Sequence, residues 1–433
     1  MKQIPGAHSL YQIVEGEDEA RACKDLPDDV CRQVPGNFLA ICASLVLTKL
    51  GDLCASPKIV LTWLLGAIGA PAALISLLVP IRESGSLIPQ LAIGAWVRRH
   101  PKRKGFWLLG SAIQGSCVIS MALAIWMLPG TQAGVTVVVL LALFSLARGL
   151  CSVTVKDIQG KTIPKRRRGR LSGIASTVAG IITAAISLAF FAGQEDPTVT
   201  FYNLLLLFAG LLWLFAAVIF MLVEEQPGET SGGRNALSEG IKNLSLLKTD
   251  TEFRHFVLSR ALLMGSALSA PFILLLAQQK DSDPATFGAF LLASSLGASL
   301  SASIWGFLAD DSSRKVMLRG GLIAALCCLG LFTVEIFTPF QQSWLYALFY
   351  FVLSVAHSGV RIGRQTYLVD MAGGVKRTDY VSVSNSVIGV LLLTMGGITA
   401  AIATWSVPTV VLFLGLMGLS GALCTWRMKE VES

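Results

Sequence analysis

Apolar stretches of about twenty residues or more recur along this chain from Asn37 to its end, separated by short polar turns. A helix of that length crosses a hydrocarbon core about 30 Å thick. In lipid the backbone must satisfy its own hydrogen bonds, which leaves helices or closed barrels. The runs are continuous rather than alternating apolar with polar, so an outer-membrane barrel is excluded. Composition agrees: 53% of the 433 residues are hydrophobic and 14% charged, against about 25% charged in soluble domains. A soluble enzyme, a disordered chain and a secreted disulfide scaffold are thereby excluded. The expected class is an all-α polytopic membrane protein.

Twelve spans are expected. Ten are clear: Phe106–Leu128, Val135–Ile163, Leu171–Gly193, Phe201–Val223, Phe256–Gln278, Ala285–Ala309, Val316–Phe337, Trp344–Ala372, Val381–Trp405 and Thr409–Trp426. The stretch Asn37–Val97 is too long for one span and short for three. A turn at Gly66, Gly69 and Pro71 divides it into Asn37–Leu65 and Ala70–Val97. A break at Pro57 instead would leave a third piece, Ser84–Val97, too short to cross.

The charges give an orientation. Net charge is +8, but the basic residues sit in loops on one face: Arg98 to Lys104, Lys161 to Arg170, Arg314 to Arg319, and Lys376 with Arg377. The opposite loops carry Lys280 alone. The positive-inside rule makes the basic loops and both termini cytoplasmic, in a bacterial-type inner membrane. The basic balance therefore reads as topology, with no nucleic-acid partner. The first 35 residues are acidic and have no early apolar core, so no signal peptide is expected. Nine cysteines are present; Cys23 and Cys31 lack a usual zinc spacing, and neither metal nor disulfide is assigned.

The chain divides into an acidic tail (1–36), six spans (37–223), a polar linker (224–254), six more spans (255–427) and a short C-terminal tail (428–433). An internal repeat supports the halves. Gly94-Ala-Trp-Val followed by a basic run returns as Gly306-Phe-Leu-Ala followed by Asp-Asp-Ser-Ser-Arg-Lys, 212 residues later. Ser145-Leu-Ala-Arg148 returns as Ser354-Val-Ala-His357, 209 residues later. Parallel six-span repeats are a transporter pattern.

On these residues the sequence resembles the major facilitator superfamily over about Asn37–Trp426. Gly306-x-x-x-Asp310-x-x-x-Arg314-Lys315 is similar to the family's loop signature between the second and third spans of a half. The first copy keeps Gly94 but has Arg98 where the acid is expected. The resemblance implies two six-helix bundles that rock about a central site. It also implies glycines that allow close packing, a cytoplasmic charge lock, a monomer, and transport without ATP. No Walker-type loop is present, which is consistent.

An ion at bilayer depth costs roughly 2.5–3.5 kcal/mol on insertion scales and usually marks function. Asp52 lies near the centre of the first span with Lys49 one turn away, Arg82 and Glu83 lie centrally in the second, and Arg148 in the fourth. His357 is central in the tenth, followed by Arg361, Arg364 and Asp370, and Arg260 is in the seventh. Asp52, Arg82 and Glu83 should share a depth. With Arg148, His357 and Arg361 they are candidates for a proton-coupling and substrate site; a static ion-pair cluster is the alternative. His357 can titrate near neutrality or simply pack. Lys49, Gln90, Gln365 and Asn385 are candidate cavity residues, as are Gln114, Gln159 and Tyr367. Pro80 and Pro89 should kink the second span. Gly94, Lys156, Asp157, Gly306, Asp310, Arg314 and Lys315 are candidates for a cytoplasmic gate, with Lys156–Asp157 joining the two halves.

The expected function is alternating-access movement of a small organic solute, coupled to protons, with no cofactor and no catalytic set. The partners are then that solute, the proton and the bilayer. A lipid or lysolipid flippase, and a transporter-like receptor without flux, are the alternatives.

Overall fold

The computed structural model describes residues 31–97, 99–192, 199–228, 230, 244–280, 284–338, 342–371 and 376–431. Most of the acidic tail and part of the 224–254 linker lie outside them, as do their expected roles. Among the described residues the fold is helical: α1 (Val34–Cys54), α2 (Val60–Ala67), α3 (Ala72–Leu87), α4 (Gln90–Val97), α5 (Lys104–Met127), α6 (Gly130–Thr162), α7 (Lys165–Ala192) and α8 (Val199–Phe220). After the linker come α9 (Leu246–Thr249), α10 (Thr251–Leu262), α11 (Gly265–Leu268), α12 (Ala270–Lys280), α13 (Pro284–Phe337), α14 (Ser343–Met371), α15 (Lys376–Ala403) and α16 (Val407–Trp426).

Against the expected twelve, ten segments among the described residues are long and apolar enough to cross a membrane, and two apolar stretches, Gly173–Ile186 and Ala285–Gly297, are shorter. α13 holds two helices that meet at Ser312, whose backbone is extended (φ −165°, ψ 103°).

The 37–97 region combines both readings of its sequence. The helix does break around Pro57, which has no N–H to donate, and the freed Pro57 carbonyl accepts from Thr62 Oγ1 at 2.7 Å. The chain does not reverse there. α1 and α2 run in one line along α8, antiparallel to it. Asn37 exchanges two hydrogen bonds with the Glu224 backbone, Ser44 donates to the Ala216 carbonyl, Gly51 faces Trp213, and Trp63 meets Tyr202. The reversal comes at Gly69, whose φ of 72° is the left-handed conformation glycine favours. Pro80 lies inside α3, and the span is interrupted before α4 at Ile88–Pro89.

Within the first part of the chain, α5 packs on α6 and α8, α1 on α8, and α3 on α6; within the second, α13 packs on α14 and α16, and α10 on α16. The two parts meet where α3 packs on α15, α7 on α13, and α2 on α12. The repeat seen in the sequence returns as geometry. A Cβ at Gly85 would lie 2.6 Å from Ser145 Cβ, and one at Gly297 2.8 Å from Ser354 Cβ. Gly110 lies against Ala147 and Cys151, as Gly320 does against Ala356 and Val360.

Large apolar side chains such as Leu109, Phe215, Ile304, Leu326 and Leu416 point outward, as lipid contact requires. On the face opposite the basic loops the two parts close on one another. Gln278 Nε2 donates to the Trp63 carbonyl at 2.9 Å, and Phe287 packs edge-on against Tyr202 with ring centres 4.8 Å apart. Lys280, the one cation expected on that face, pairs with Glu335 at 3.1 Å. Two expectations need correction. Gly306 has no neighbour within 4 Å of an added Cβ, so it does not serve a close helix contact here. Cys31 is disulfide-bonded; its spacing argued against zinc and did not bear on a disulfide.

Candidate functional site

The mid-depth charges separate into two groups. Asp52 on α1 accepts from Arg82 of α3 at 2.7 Å through one oxygen and from Arg148 of α6 through the other. The guanidinium of Arg82 also lies over the Phe144 ring, 4.8 Å from its centre, a favourable cation–π arrangement. The cluster is mostly dry: the side chains of Arg82, Asp52 and Arg148 are 11%, 19% and 36% exposed. One carboxylate thus bridges two guanidinia and three helices. Lys49, one turn from Asp52, donates to Ser176 of α7 at 2.9 Å.

Glu83 does not join this bridge, although it neighbours Arg82 in sequence. Successive helical residues point about 100° apart, and Glu83 faces the other way, into a cavity of about 420 Å³. That volume lies in the range of small-molecule sites. Its charged wall is Lys58, Glu83, Arg260, His357, Arg361 and Arg364, and Tyr350, Ser354 and Ser358 add polar groups. Three elements supply the cations: the α1–α2 connection, α10 and α14. Arg361 and Arg364 are three apart and share a helical face; His357 lies one turn earlier and meets Ser266 Oγ at 3.1 Å through Nδ1. Arg260 donates to Ser384 Oγ at 2.7 Å and to Asn385 Oδ1 at 3.0 Å.

Of the residues expected together, the structure joins Asp52, Arg82 and Arg148, and separately Glu83, His357 and Arg361. Gln90, Gln365, Lys49 and Asn385 do not line the cavity; Asn385 instead holds Arg260. Gln114 is buried between Gly110 and Cys151, Gln159 is not on the cavity wall, and Tyr367 stacks on Phe256. Lys58 is the residue that sequence reasoning missed. A lysine after Pro57, inside a long apolar stretch, is as costly as Asp52 and was the available signal.

The basic face is tied by loop contacts. Asp157 pairs with Arg103 and with Lys161, the latter at 2.8 Å. Both partners lie in the first part of the chain, and among the described residues Asp157 makes no bond to the second part; Lys156 is exposed. Glu225, from the linker, accepts from the backbone N–H of Arg103 and of Lys104 (2.7 Å to the latter) and pairs with Lys161 at 3.1 Å. Gly94 is buried in α4. In the second half Arg314 donates to the carbonyls of Trp426 and Met428, at the end of α16, and pairs with Glu430 at 2.8 Å. Ser312 Oγ adds a bond to Glu430 at 2.7 Å, and Lys315 approaches the same carboxylate at 3.8 Å. Burial raises the Glu430 pKa, but the Ser312 hydroxyl, Arg314 and Lys315 outweigh that and hold it below the ordinary value. The Asp310 side chain lies outside what is described. Among the described residues no group of three potential metal ligands occurs.

Solved structures share this architecture. The inward-open xylose transporter XylE from E. coli aligns with a TM-score of 0.65 at 12% identity, covering 90% of this chain and 96% of that one. The nucleoside transporter NupG aligns at 0.69 and 13%, covering 90% and 99%. The peptide transporter POT aligns at 0.63 and 14%, covering 95% and 99%. No curated protein matches the chain by sequence. The family model of the Major Facilitator Superfamily matches residues 256–433. The chain shares the fold of these transporters, and its residues 256–433 match the Major Facilitator Superfamily model by sequence.

Proposed function

We propose that the chain is a secondary transporter that carries a small organic solute across a membrane by alternating access. The observation that carries this reading is the charged cavity walled by elements from both parts of the chain, which also meet through the Gln278–Trp63 contact on the face opposite the basic loops. In this reading residues 37–223 and 255–427 are six-helix bundles, 224–254 links them, and the basic loops and both termini are cytoplasmic. The conformation described is then the inward-facing one. A closed outer seam, Asp157 bound only within its own half, and an exposed Arg361 all support that state. The proposed gate is Asp157 with Lys156 on one side and Asp310, Arg314 and Lys315 on the other.

Proton coupling is assigned to Asp52, with Glu83 as the second carboxylate. One structural relative is a D-xylose–proton symporter, and the same arrangement suits this chain. Asp52 is shared by Arg82 and Arg148, so rocking that separates it from Arg148 would change the charge it faces, and re-pairing would restore it. The cargo is the solute, the energy source is the proton gradient, and a monomer suffices.

The test is flux into proteoliposomes of a solute selected by thermal stabilisation of the purified protein. An imposed pH gradient should drive accumulation. Flux indifferent to the gradient, or unharmed by Asp52→Asn with Glu83→Gln, would refute the coupling. Stabilising solutes that never move would refute transport itself and leave a receptor.

A further inference from the structure

Within that reading, the cavity wall speaks to the cargo's charge. Four cations face one space, Lys58 from the α1–α2 connection, Arg260 from α10, and Arg361 and Arg364 from α14, against a single carboxylate, Glu83. Three positive charges are left over. Among the described residues the side chains of Lys58, Arg361 and Arg364 make no hydrogen bond or ion pair with the protein. Arg260 is 7% exposed, and its Nε is buried without a partner. The Ser358 hydroxyl, 2% exposed on the same wall, is likewise buried and unpartnered.

This is an expensive arrangement for an empty protein. Like charges gathered around one space of low dielectric repel, and removing guanidinia from water adds to that. The contrast within the same chain is informative. Arg82 and Arg148 each pair with Asp52, Lys161 with Asp157 and Glu225, and Arg314 with Glu430. Among the described residues, Lys58, Arg361 and Arg364 line one cavity together without such a partner. Guanidinia three apart on a helix present planar forks suited to bidentate capture of carboxylate or phosphate oxygens. Glu83 is too little to complete the charge, and it also sets a polarity: the acidic end of a cargo belongs on the α14 side, away from α3.

We infer that the cavity binds a small organic dianion, a dicarboxylate or phosphate monoester, with Arg361 and Arg364 as the clamp and Lys58 and Arg260 as flanking counter-charges. A neutral solute would leave the cations unmatched, and a cation would add to their repulsion.

The experiment uses the full chain in detergent at fixed ionic strength. Thermal shift and calorimetric binding are measured with succinate and glycerol 3-phosphate, with their neutral counterparts succinamide and glycerol, and with the dication 1,4-diaminobutane. The expected result is saturable binding of the dianions alone. Charge-assisted hydrogen bonds contribute about 1.5–3 kcal/mol each, so Arg361→Gln and Arg364→Gln should each weaken dianion affinity about ten- to a hundredfold. The wild-type comparison of dianion with neutral counterpart stands even if a variant misfolds. Binding of the neutral or cationic probes with the dianions inert would overturn the inference while leaving transport intact. So would dianion binding that both variants retain, or no binding by any probe. Dianion binding that never yields flux in proteoliposomes would uphold the inference and refute the transport reading instead.

Discussion

Asp52→Asn is the substitution whose effect follows most directly from geometry. It removes the one carboxylate that two guanidinia share, while changing volume and shape little. In the wild type Arg82 and Asp52 are 11% and 19% exposed, and Arg148 is 36% exposed. Breaking a buried pair from one side typically costs about 3–5 kcal/mol, because the remaining charge stays unmatched. Here two charges are stranded beside each other, but Arg148 retains access to water, so a loss near the lower figure, about 3 kcal/mol, is expected. At about 2.1 cal/mol/K per residue a chain of 433 residues shifts its Tm by about 1 °C per kcal/mol, which puts the change near 3 °C downward in detergent. Adding Arg148→Gln removes one stranded cation and should restore about half of that. The double-mutant cycle should therefore show coupling of at least about 1 kcal/mol. Counterflow, which needs no gradient, should survive Asp52→Asn, whereas accumulation driven by a pH gradient should vanish. An unchanged Tm, or losses that simply add in the double variant, would refute the bridge as an energetic unit.

Three further outcomes are expected. Gln278→Ala removes one neutral hydrogen bond across the outer seam, about 1 kcal/mol net, and should shift the population toward outer opening about fivefold. Spin-label distances across the Trp63–Phe287 contact would report this, and unchanged distances would count against the seam as a gate. Gly396→Val should wedge α3 from α15, since a Cβ at Gly396 already lies 2.6 Å from Pro80 Cβ. Overpacking of this kind costs roughly 1–3 kcal/mol, read as a lower Tm and slower flux together. Glu430→Gln tests the C-terminal strap. Because the folded carboxyl titrates below its ordinary 4.5, its contribution is present above that pH and fades as pH falls through the folded value. The Tm difference between wild type and variant should thus be largest at neutral pH, modest given a partly exposed pair (at most about 1 kcal/mol), and should close in acid.

The fold was largely legible because hydropathy and loop charge act over whole segments. Runs such as Phe106–Leu128 and Thr409–Trp426 map onto α5 and α16 within two residues. The repeat was legible too, since Gly85 with Ser145 and Gly297 with Ser354 are contacts that only small residues allow. Segment chemistry could not tell that Pro57 interrupts a helix without turning the chain. That outcome depends on α8 lying alongside both pieces. The site was legible in its residue types but not in its grouping. Arg82 and Glu83 are adjacent in sequence and go to different clusters, a consequence of helical phase and of the neighbours on each side. Asp157 showed the same limit: Lys161 is its i+4 neighbour on α6, but Arg103 is brought to it by the chain just before α5.

The matched contacts of the two halves carry one more implication. His357 and Arg148 occupy corresponding positions 209 residues apart, and each meets a residue of the first apolar segment of its own part of the chain, Ser266 in Thr251–Lys280 and Asp52 in Val34–Cys54. A duplicated ancestor that bore the same pair twice would have diverged here into an ionic copy and a neutral one. Ser266→Asp would place a carboxylate beside His357 and rebuild in the second copy the ionic arrangement of the first.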